Sequence, residues 1–166
     1  MRLVASLLIL LCSCGSTVND AGFDRPSDVP NWAGTTSEAP DRVTIYALNP
    51  MHVGSESGGD DVEAFHNYPV LGSVELTNAN ERAELIRLLY RTIHEDNGMR
   101  ASCFNPRHGI RAQRGDQVAD WVICFECLSM HVKDGKDAHV NLGTNPSIEP
   151  RFTQIYEAAG LKIDPN

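Results

Sequence analysis

The stretch ASCFNPRHGIRAQRGDQVADWVICFECLSMH, which is residues 101–131, decides the fold of this chain. Gly115 and Asp116 lie near its middle, and such a pair is typical of the two-residue turn of a β-hairpin. Pro106 and Gly109 interrupt the strand before the turn, because proline lacks a ladder donor and glycine weakens a strand. The stretch therefore predicts an antiparallel hairpin whose first strand is bent, bulged or replaced by a loop around Pro106.

The turn also sets the register of the hairpin. Ile110 then faces Trp121 on one side of the sheet, and Arg111 faces Asp120 on the other side. A shift of one residue would set Ile110 against Asp120 and mix polar with apolar side chains on both faces. We therefore expect Ile110 and Trp121 on a buried face, with Arg111 and Asp120 directed toward solvent.

The second strand ends in the run CFEC, and the spacing of Cys124 and Cys127 occurs in zinc knuckles and in redox sites. The preceding residues are strand-like, and side chains three positions apart in a strand point to opposite faces. The two thiols are therefore not expected to bond to each other, or to share an ion, unless a bulge intervenes.

Three interpretations of the domain cysteines stay open. They are buried thiols that pack as small apolar residues, a disulfide from Cys103 to Cys127 or Cys124, or a metal site. The metal site would draw on side chains that bind zinc: Cys103, His108, Cys124, Cys127 and His131. We predict no other cofactor. The sequence shows no phosphate-binding glycine loop.

Arg107 is the residue of the hairpin that could activate a cysteine. In the predicted register it lies on the same face as Cys124, and a cation near a thiol favours the reactive thiolate. The catalytic candidates are therefore Cys124 as nucleophile and Arg107 as its activator. His108 is a third candidate, as a base, but the alternation of the strand sends it to the opposite face.

Two runs of this stretch, CFNPRHGIR and VICFEC, follow a predicted amphipathic helix and a short VLG strand. The arrangement resembles that of an uncharacterised group of exported bacterial proteins over about residues 68–130. The resemblance implies a small α+β domain. It implies no activity, substrate, cofactor or catalytic residue.

Outside the hairpin the sequence predicts two helices and three strands. Apolar residues recur at helical spacing between an N-cap at Asn78 or Asn80 and a stop at Gly98, and a second helix begins at Pro150. Apolar runs rich in β-branched residues predict strands over residues 42–48, 68–76 and 138–142. The expected fold class is α+β, an antiparallel sheet of about five strands with two helices packed on one face.

The N-terminus has the features of a lipoprotein signal. An apolar run over residues 3–11 is too short for the ~20 residues of a membrane-spanning helix. The LCSCG that follows resembles the bacterial lipobox. The resemblance implies that residues 1–13 are a signal peptide and that Cys14 is lipidated. The membrane is then the predicted partner of Cys14, through its acyl chains. The alternative is an ordinary signal peptide that is cleaved nearby.

The segment after the lipobox predicts a linker. Residues 14–41 are rich in Ser, Thr, Asp, Gly and Pro, a composition typical of a flexible tether, here lipidated at its start. Trp32 is an apolar exception, and two interpretations of it stay open: it contacts the domain or the membrane surface, or it is an isolated aromatic residue in the linker. Residues 42–166 are predicted to form a single α+β domain.

The charge of the 166-residue chain bears on its function. A net charge of −8 without a basic stripe disfavours nucleic acid as a partner. The favoured function is that of a lipid-anchored cell-envelope protein, a non-catalytic binding or structural module whose domain faces the periplasm or the exterior. The alternative is a thiol-dependent or metal-dependent activity centred on four side chains: Cys103, Arg107, His108 and Cys124. Exposure of the Cys124 sulfur beside Arg107 would favour that enzyme class, and burial of all three thiols would favour the module.

Overall fold

The computed structural model describes residues 24–51 and 63–163. The predicted signal peptide and the lipidation site Cys14 lie outside these residues. The described elements in chain order are α1 (Asn31–Glu38), β1 (Arg42–Leu48), β2 (Ala64–Phe65), β3 (Tyr68–Glu75), α2 (Ala79–His94), β4 (His108–Arg114), β5 (Gln117–Cys124), β6 (Ser129–Lys133), β7 (His139–Gly143), a 3-10 turn (Pro146–Ile148) and α3 (Glu149–Ala158).

The seven described strands form one curled antiparallel sheet in the order β2-β3-β1-β4-β5-β6-β7. The predicted class, α+β with an antiparallel sheet, is confirmed. The predicted numbers of about five strands and two helices are wrong, because the described residues contain seven strands and three α-helices. Strand β2 has only two residues, too few for a periodic signal, and β6 was missed because the strand before it was predicted to run through Cys127.

The predicted hairpin register is confirmed. Ile110 pairs with Trp121 and Arg111 pairs with Asp120 in the ladder between β4 and β5, and Gly115 adopts a positive φ of 54° in the turn. Strand β4 begins only at His108, so the preceding segment with its proline is irregular. This late start agrees with the interruption that the sequence predicts.

One face of the sheet carries the main core. Buried side chains of α1, α2 and α3 pack with alternate strand residues, among them Ile45, Ile110, Trp121 and Ile123. Trp121 and Phe152 are fully buried there. Apolar residues from all three helices therefore meet one set of strand side chains, as the period of two in a strand requires.

The hairpin of β2 and β3 forms a second apolar cluster with the opposite face of the sheet. Its buried members are Leu48, Phe65, Tyr68 and Val122. The ring of Phe65 lies so close to Gly109 that a Cβ there would meet it at 3.0 Å. Glycine at this position therefore lets the hairpin approach the sheet.

Helix α1 corrects the predicted tether. Residues 31–38 form a helix instead of a flexible linker, and Ala33 is fully buried in the main core. The Trp121 indole donates a hydrogen bond of 3.2 Å to the hydroxyl of Ser37. Trp32 is partly buried against the same core, so the domain is its contact. Thr, Ser and Gly are poor helix formers, and this helix depends on docking to the sheet.

Candidate functional site

Strand β5 ends at Cys124, and a tight turn leads from there to β6. The Leu128 amide donates to the Phe125 carbonyl at 3.2 Å, and Leu128 adopts a positive φ of 56°. A left-handed conformation is unfavourable for a branched side chain by roughly 1–2 kcal/mol. The turn reverses the chain at the CFEC run, so Cys127 does not continue the strand.

Cys124 and Cys127 are joined by a disulfide, with their Cα atoms 5.2 Å apart. The expectation that these two sulfurs point to opposite faces is therefore wrong, because it required both residues to lie in one strand. Both residues are buried, at 1% and 0% exposure. Neither of them is bonded to Cys103, so the disulfide from Cys103 to Cys127 or Cys124, one of the three open interpretations, is wrong. The interpretation of Cys124 and Cys127 as buried free thiols is wrong as well.

Cys103 is the free and exposed thiol among the described cysteines. Its Sγ lies 3.2 Å from Sγ of Cys127. The segment that carries Cys103 is held against the turn, because the Ala101 amide donates to the Cys127 carbonyl at 3.1 Å. Three sulfur atoms therefore meet at the end of β5. We call Cys103, Cys124 and Cys127 the cysteine cluster.

Backbone amides donate to both sulfurs of the disulfide. The Asn105 amide lies 3.1 Å from Sγ of Cys127, and the Cys127 amide lies 3.0 Å from Sγ of Cys124. A hydrogen bond to the charged form of an acid favours that form. Either sulfur, once it becomes a thiolate, has a donor already in place.

Arg107 contacts the middle of the CFEC turn through Glu126. Its Nη1 lies 3.2 Å from Oε2 of Glu126 and 3.4 Å from the Asn105 carbonyl oxygen. Its Nε is buried without a hydrogen-bond partner. Burial raises the pKa of Glu149, while the charge of Arg107 acts in the opposite direction. The predicted activation of a free Cys124 thiol by Arg107 is wrong, because the Cys124 sulfur is in the disulfide.

His108 belongs to the core. Burial, and then the charge of Arg107, lower the pKa of His108 to about 3, so its imidazole is neutral at ordinary pH. Its ring lies edge-on to Phe125 and Tyr156, and its Nε2 is 3.4 Å from the Thr153 hydroxyl. These contacts make His108 a packing residue and separate it from the polar face, as the alternation predicted.

His131 stands in a stack of rings on the opposite face of the sheet. Its ring lies parallel to Phe104 with centroids 3.7 Å apart, and edge-on to His139 at 4.9 Å. Burial lowers the pKa of His131 to about 4, and the charges of His139 and Lys133 add to this effect. In the disulfide form, the described part of the chain contains no group of three Cys, His, Asp or Glu side chains arranged to hold a metal.

The sequence missed a polar cluster at the centre of the sheet. Asp120 is fully buried, although solvent exposure was predicted for it. Arg111 donates to both of its carboxylate oxygens at 2.8 and 2.7 Å, and His66 Nε2 lies 2.7 Å from Oδ2. Burial raises the pKa of Asp120, but the hydrogen bonds from Arg111 and His66 outweigh it and hold that pKa below its usual value. The cross-strand register pointed to Arg111, but no sequence signal pointed to His66.

No family model, curated protein or solved structure matches this chain. The likeness of its two motifs to exported bacterial proteins therefore stays a prediction. Among the described residues, no helix is both long enough and apolar enough to cross a membrane.

Proposed function

We propose that this protein is a lipid-anchored cell-envelope protein whose domain carries out thiol–disulfide exchange. The anchor is inferred from the LCSC junction and the short apolar run before it. Replacing Cys14 by alanine should abolish membrane association and the incorporation of labelled fatty acid, whereas the matched Cys12→Ala variant should keep both. Fatty acid that is still incorporated into the Cys14 variant would contradict the anchor.

The proposal for the domain rests on one observation, the 3.2 Å between Sγ of Cys103 and Sγ of Cys127. Thiol–disulfide exchange begins when a thiolate attacks one sulfur of a disulfide. Cys103 as thiolate attacks Cys127, a new bond forms between these two sulfurs, and the bond from Cys127 to Cys124 breaks. Cys124 leaves as a thiolate with the Cys127 amide as its donor. No electrons are gained or lost in this internal step.

The internal step moves the disulfide to the surface. Cys124 and Cys127 are buried, and Cys103 is exposed. A substrate dithiol then attacks Cys103, and Cys127 leaves as a thiolate beside the Asn105 amide. The second substrate thiol attacks the mixed disulfide, and Cys103 leaves. The substrate loses two electrons and two protons and the protein gains them, so Cys124 and Cys127 become thiols and Cys103 returns to its starting state. The reverse sequence reduces a substrate disulfide.

The test uses the full chain with Cys12→Ser and Cys14→Ser, so that the three cysteines of the cluster are the only ones left. The folded protein is incubated with reduced glutathione, and newly alkylatable Cys124 and Cys127 are counted by mass spectrometry. Cys103→Ser should slow their appearance by more than about tenfold, which is about 1.4 kcal/mol of barrier. Ser102→Ala, an exposed neighbour, should leave the rate unchanged.

Disulfide mapping detects the product of the internal step, the disulfide between Cys103 and Cys127, directly. Cleavage after Glu126 separates Cys124 from Cys127, and cleavage after Arg107 or Arg111 separates Cys103 from both. We expect that, in protein quenched with acid from neutral pH, a fraction of the molecules contains a disulfide between Cys103 and Cys127 instead of the one between Cys124 and Cys127. Equal reduction rates for the parent and Cys103→Ser, together with Cys124–Cys127 as the single disulfide, would overturn it.

The burial of both bonded sulfurs favours a second candidate, the non-catalytic binding or structural module. In that case the disulfide is a staple at the end of β5 and Cys103 is dispensable. A Cys124→Ala, Cys127→Ala variant would then lose stability, and Cys103→Ser would change neither stability nor the rate of reduction. The glutathione experiment therefore separates the two candidates.

A further inference from the structure

The turn at the cysteine cluster is of the kind that metal-binding knuckles use. The C-x-x-C run leaves a strand, and Leu128 in the left-handed conformation directs the chain back into β6. This reversal brings the side chains of Cys124 and Cys127 to one point. Cys-x-x-Cys pairs in such turns are typical of structural zinc sites.

A third sulfur reaches the same point from another part of the chain. Cys103 lies 24 positions before Cys127, and their Sγ atoms are 3.2 Å apart. Zinc–sulfur bonds of about 2.3 Å place tetrahedral ligand sulfurs about 3.8 Å apart. The distance between the Sγ atoms of Cys103 and Cys127 therefore has to increase by about 0.6 Å, and the exposed side chain of Cys103 can rotate. The sulfurs of Cys124 and Cys127 separate to the same spacing once their bond is reduced.

The hydrogen bonds around the sulfurs suit thiolate ligands. The Asn105 and Cys127 amides donate to the sulfurs of Cys127 and Cys124. Such outer contacts orient metal ligands and offset their charge. Three thiolates and one divalent cation leave a net charge of −1, whereas a monovalent cation would leave −2. The neighbouring ion pair of Arg107 and Glu126 is neutral and offsets neither value.

We propose that the reduced cysteine cluster binds a divalent thiophilic cation, Zn²⁺, through Cys103, Cys124 and Cys127. The exposed side of Cys103 leaves the fourth position to water. This inference extends the proposed exchange, because a dithiol acting through Cys103 is the reductant that opens the disulfide. Two electrons and two protons from that dithiol give two thiols, and the three thiols then release three protons as the cation binds. A disulfide oxidant reverses the reduction and expels the ion, so redox state governs metal binding.

The experiment is independent of the exchange activity, because a phosphine reduces the protein chemically and is then removed without oxygen. The full chain carries Cys12→Ser and Cys14→Ser, and Co²⁺ serves as the probe, with Zn²⁺ as competitor. We expect one Co²⁺ per chain, with intense sulfur-to-cobalt charge-transfer and tetrahedral absorption bands that Zn²⁺ abolishes. The oxidised chain should bind no Co²⁺ in this way.

Variants define the ligand set. Loss of a group that hydrogen-bonds to a metal ligand lowers metal affinity by about 10–100-fold. Cys103→Ser removes a ligand itself, so it should lower the affinity by more than about 100-fold. Ser102→Ala and His131→Gln should retain the parent affinity. Reduced parent protein that binds no tighter than Cys103→Ser, or a spectrum without tetrahedral bands, would overturn the site. Loss of binding in His131→Gln would overturn the three-sulfur ligand set. None of these results depends on glutathione reactivity, so the exchange proposal stands or fails separately.

Discussion

The Nε2 atom of His66 lies 2.7 Å from Oδ2 of Asp120, although the two residues are 54 positions apart in the chain. His66 occupies the turn between β2 and β3 with a positive φ of 52°. Its contact therefore ties that hairpin to the middle of β5, where Asp120 also accepts two hydrogen bonds from Arg111. The buried carboxylate thus links the hairpin of β2 and β3 to strands β4 and β5.

Replacing Asp120 by asparagine should destabilise the protein by about 3 kcal/mol, because it removes one partner of a buried ion pair. The partial exposure of Arg111 puts the value at the lower end of the range for such pairs. Urea unfolding measures the loss. The matched control is Glu75→Gln, which breaks the exposed pair with Arg42 and should cost less than about 1 kcal/mol. Equal losses in the two variants would contradict this role for Asp120.

Asp120 also contributes to the acid sensitivity of the fold. The pKa of Asp120 in the folded protein is lower than the ordinary 3.8. The ionised carboxylate therefore contributes fully to stability above pH 3.8, and this contribution is lost as pH falls through the lower pKa of the folded state. The parent should therefore lose stability below about pH 4 more steeply than Asp120→Asn. Urea midpoints at several pH values between neutral and strongly acidic check this. Parallel profiles would count against the assignment.

His108 should make stability fall between neutral pH and pH 5. Its folded pKa of about 3 lies below the ordinary 6.5, so the unfolded chain binds a proton that the folded chain does not. The contribution of His108 to the unfolding free energy is complete above its pKa in the unfolded chain. It is lost as pH falls toward its pKa in the folded chain. At pH 5 the loss from this one group is about 2 kcal/mol. In His108→Asn the difference in unfolding free energy between pH 7.5 and pH 5 should shrink by that amount, whatever the absolute stability of the variant. An unchanged difference would show that His108 is accessible to protons.

Tyr156 fixes α3 to the sheet. Its hydroxyl donates to the buried Gly109 carbonyl at 2.7 Å. Tyr156→Phe should cost about 1–2 kcal/mol, because it leaves a buried acceptor with one partner fewer. Tyr90→Phe is the control, since the Tyr90 hydroxyl lies a weaker 3.5 Å from the Gly34 carbonyl. Chemical denaturation should show the larger loss for Tyr156→Phe, and the reverse order would contradict the importance of this bond.

Helix α1 should be necessary for full stability. A chain over residues 41–166 lacks the helix that buries Ala33 and provides the Ser37 partner of Trp121, whereas a chain over residues 24–166 keeps both. We expect the shorter chain to unfold at lower urea and to show red-shifted Trp121 emission, because the indole gains access to water. Identical unfolding curves and spectra for the two chains would support the flexible tether over residues 14–41 that the sequence predicts.

Local patterns in the sequence were enough to predict several features of the fold. The Gly115 turn and the alternation around it placed Ile110 opposite Trp121, because a hairpin register depends on turn length and on the period of two. Spacing and capping likewise predicted α2, and the structure shows that Asn78, one of the two candidate N-caps, is the cap. The class of the domain follows from these local elements.

Local patterns did not predict α1. The composition of residues 31–38 opposes a helix, and only the apolar surface around Trp121 makes one favourable. Strand β6 was not predicted for a related reason. The turn before it places Leu128 at a positive φ, and leucine in a sequence does not indicate such a turn.

For the candidate site, the sequence by itself determined which side chains were available: three cysteines, Arg107 and two histidines within one stretch. Only the tertiary structure decided that Cys103 meets Cys127, that Cys124 is bonded and buried, and that Arg107 contacts Glu126. It also decided that His66 meets Asp120. The physical reason is the range of each interaction. Turn and strand preferences act between neighbours and can be predicted from spacing, whereas contacts between residues 24 or 54 positions apart arise only when the sheet curls and the chain reverses at Leu128.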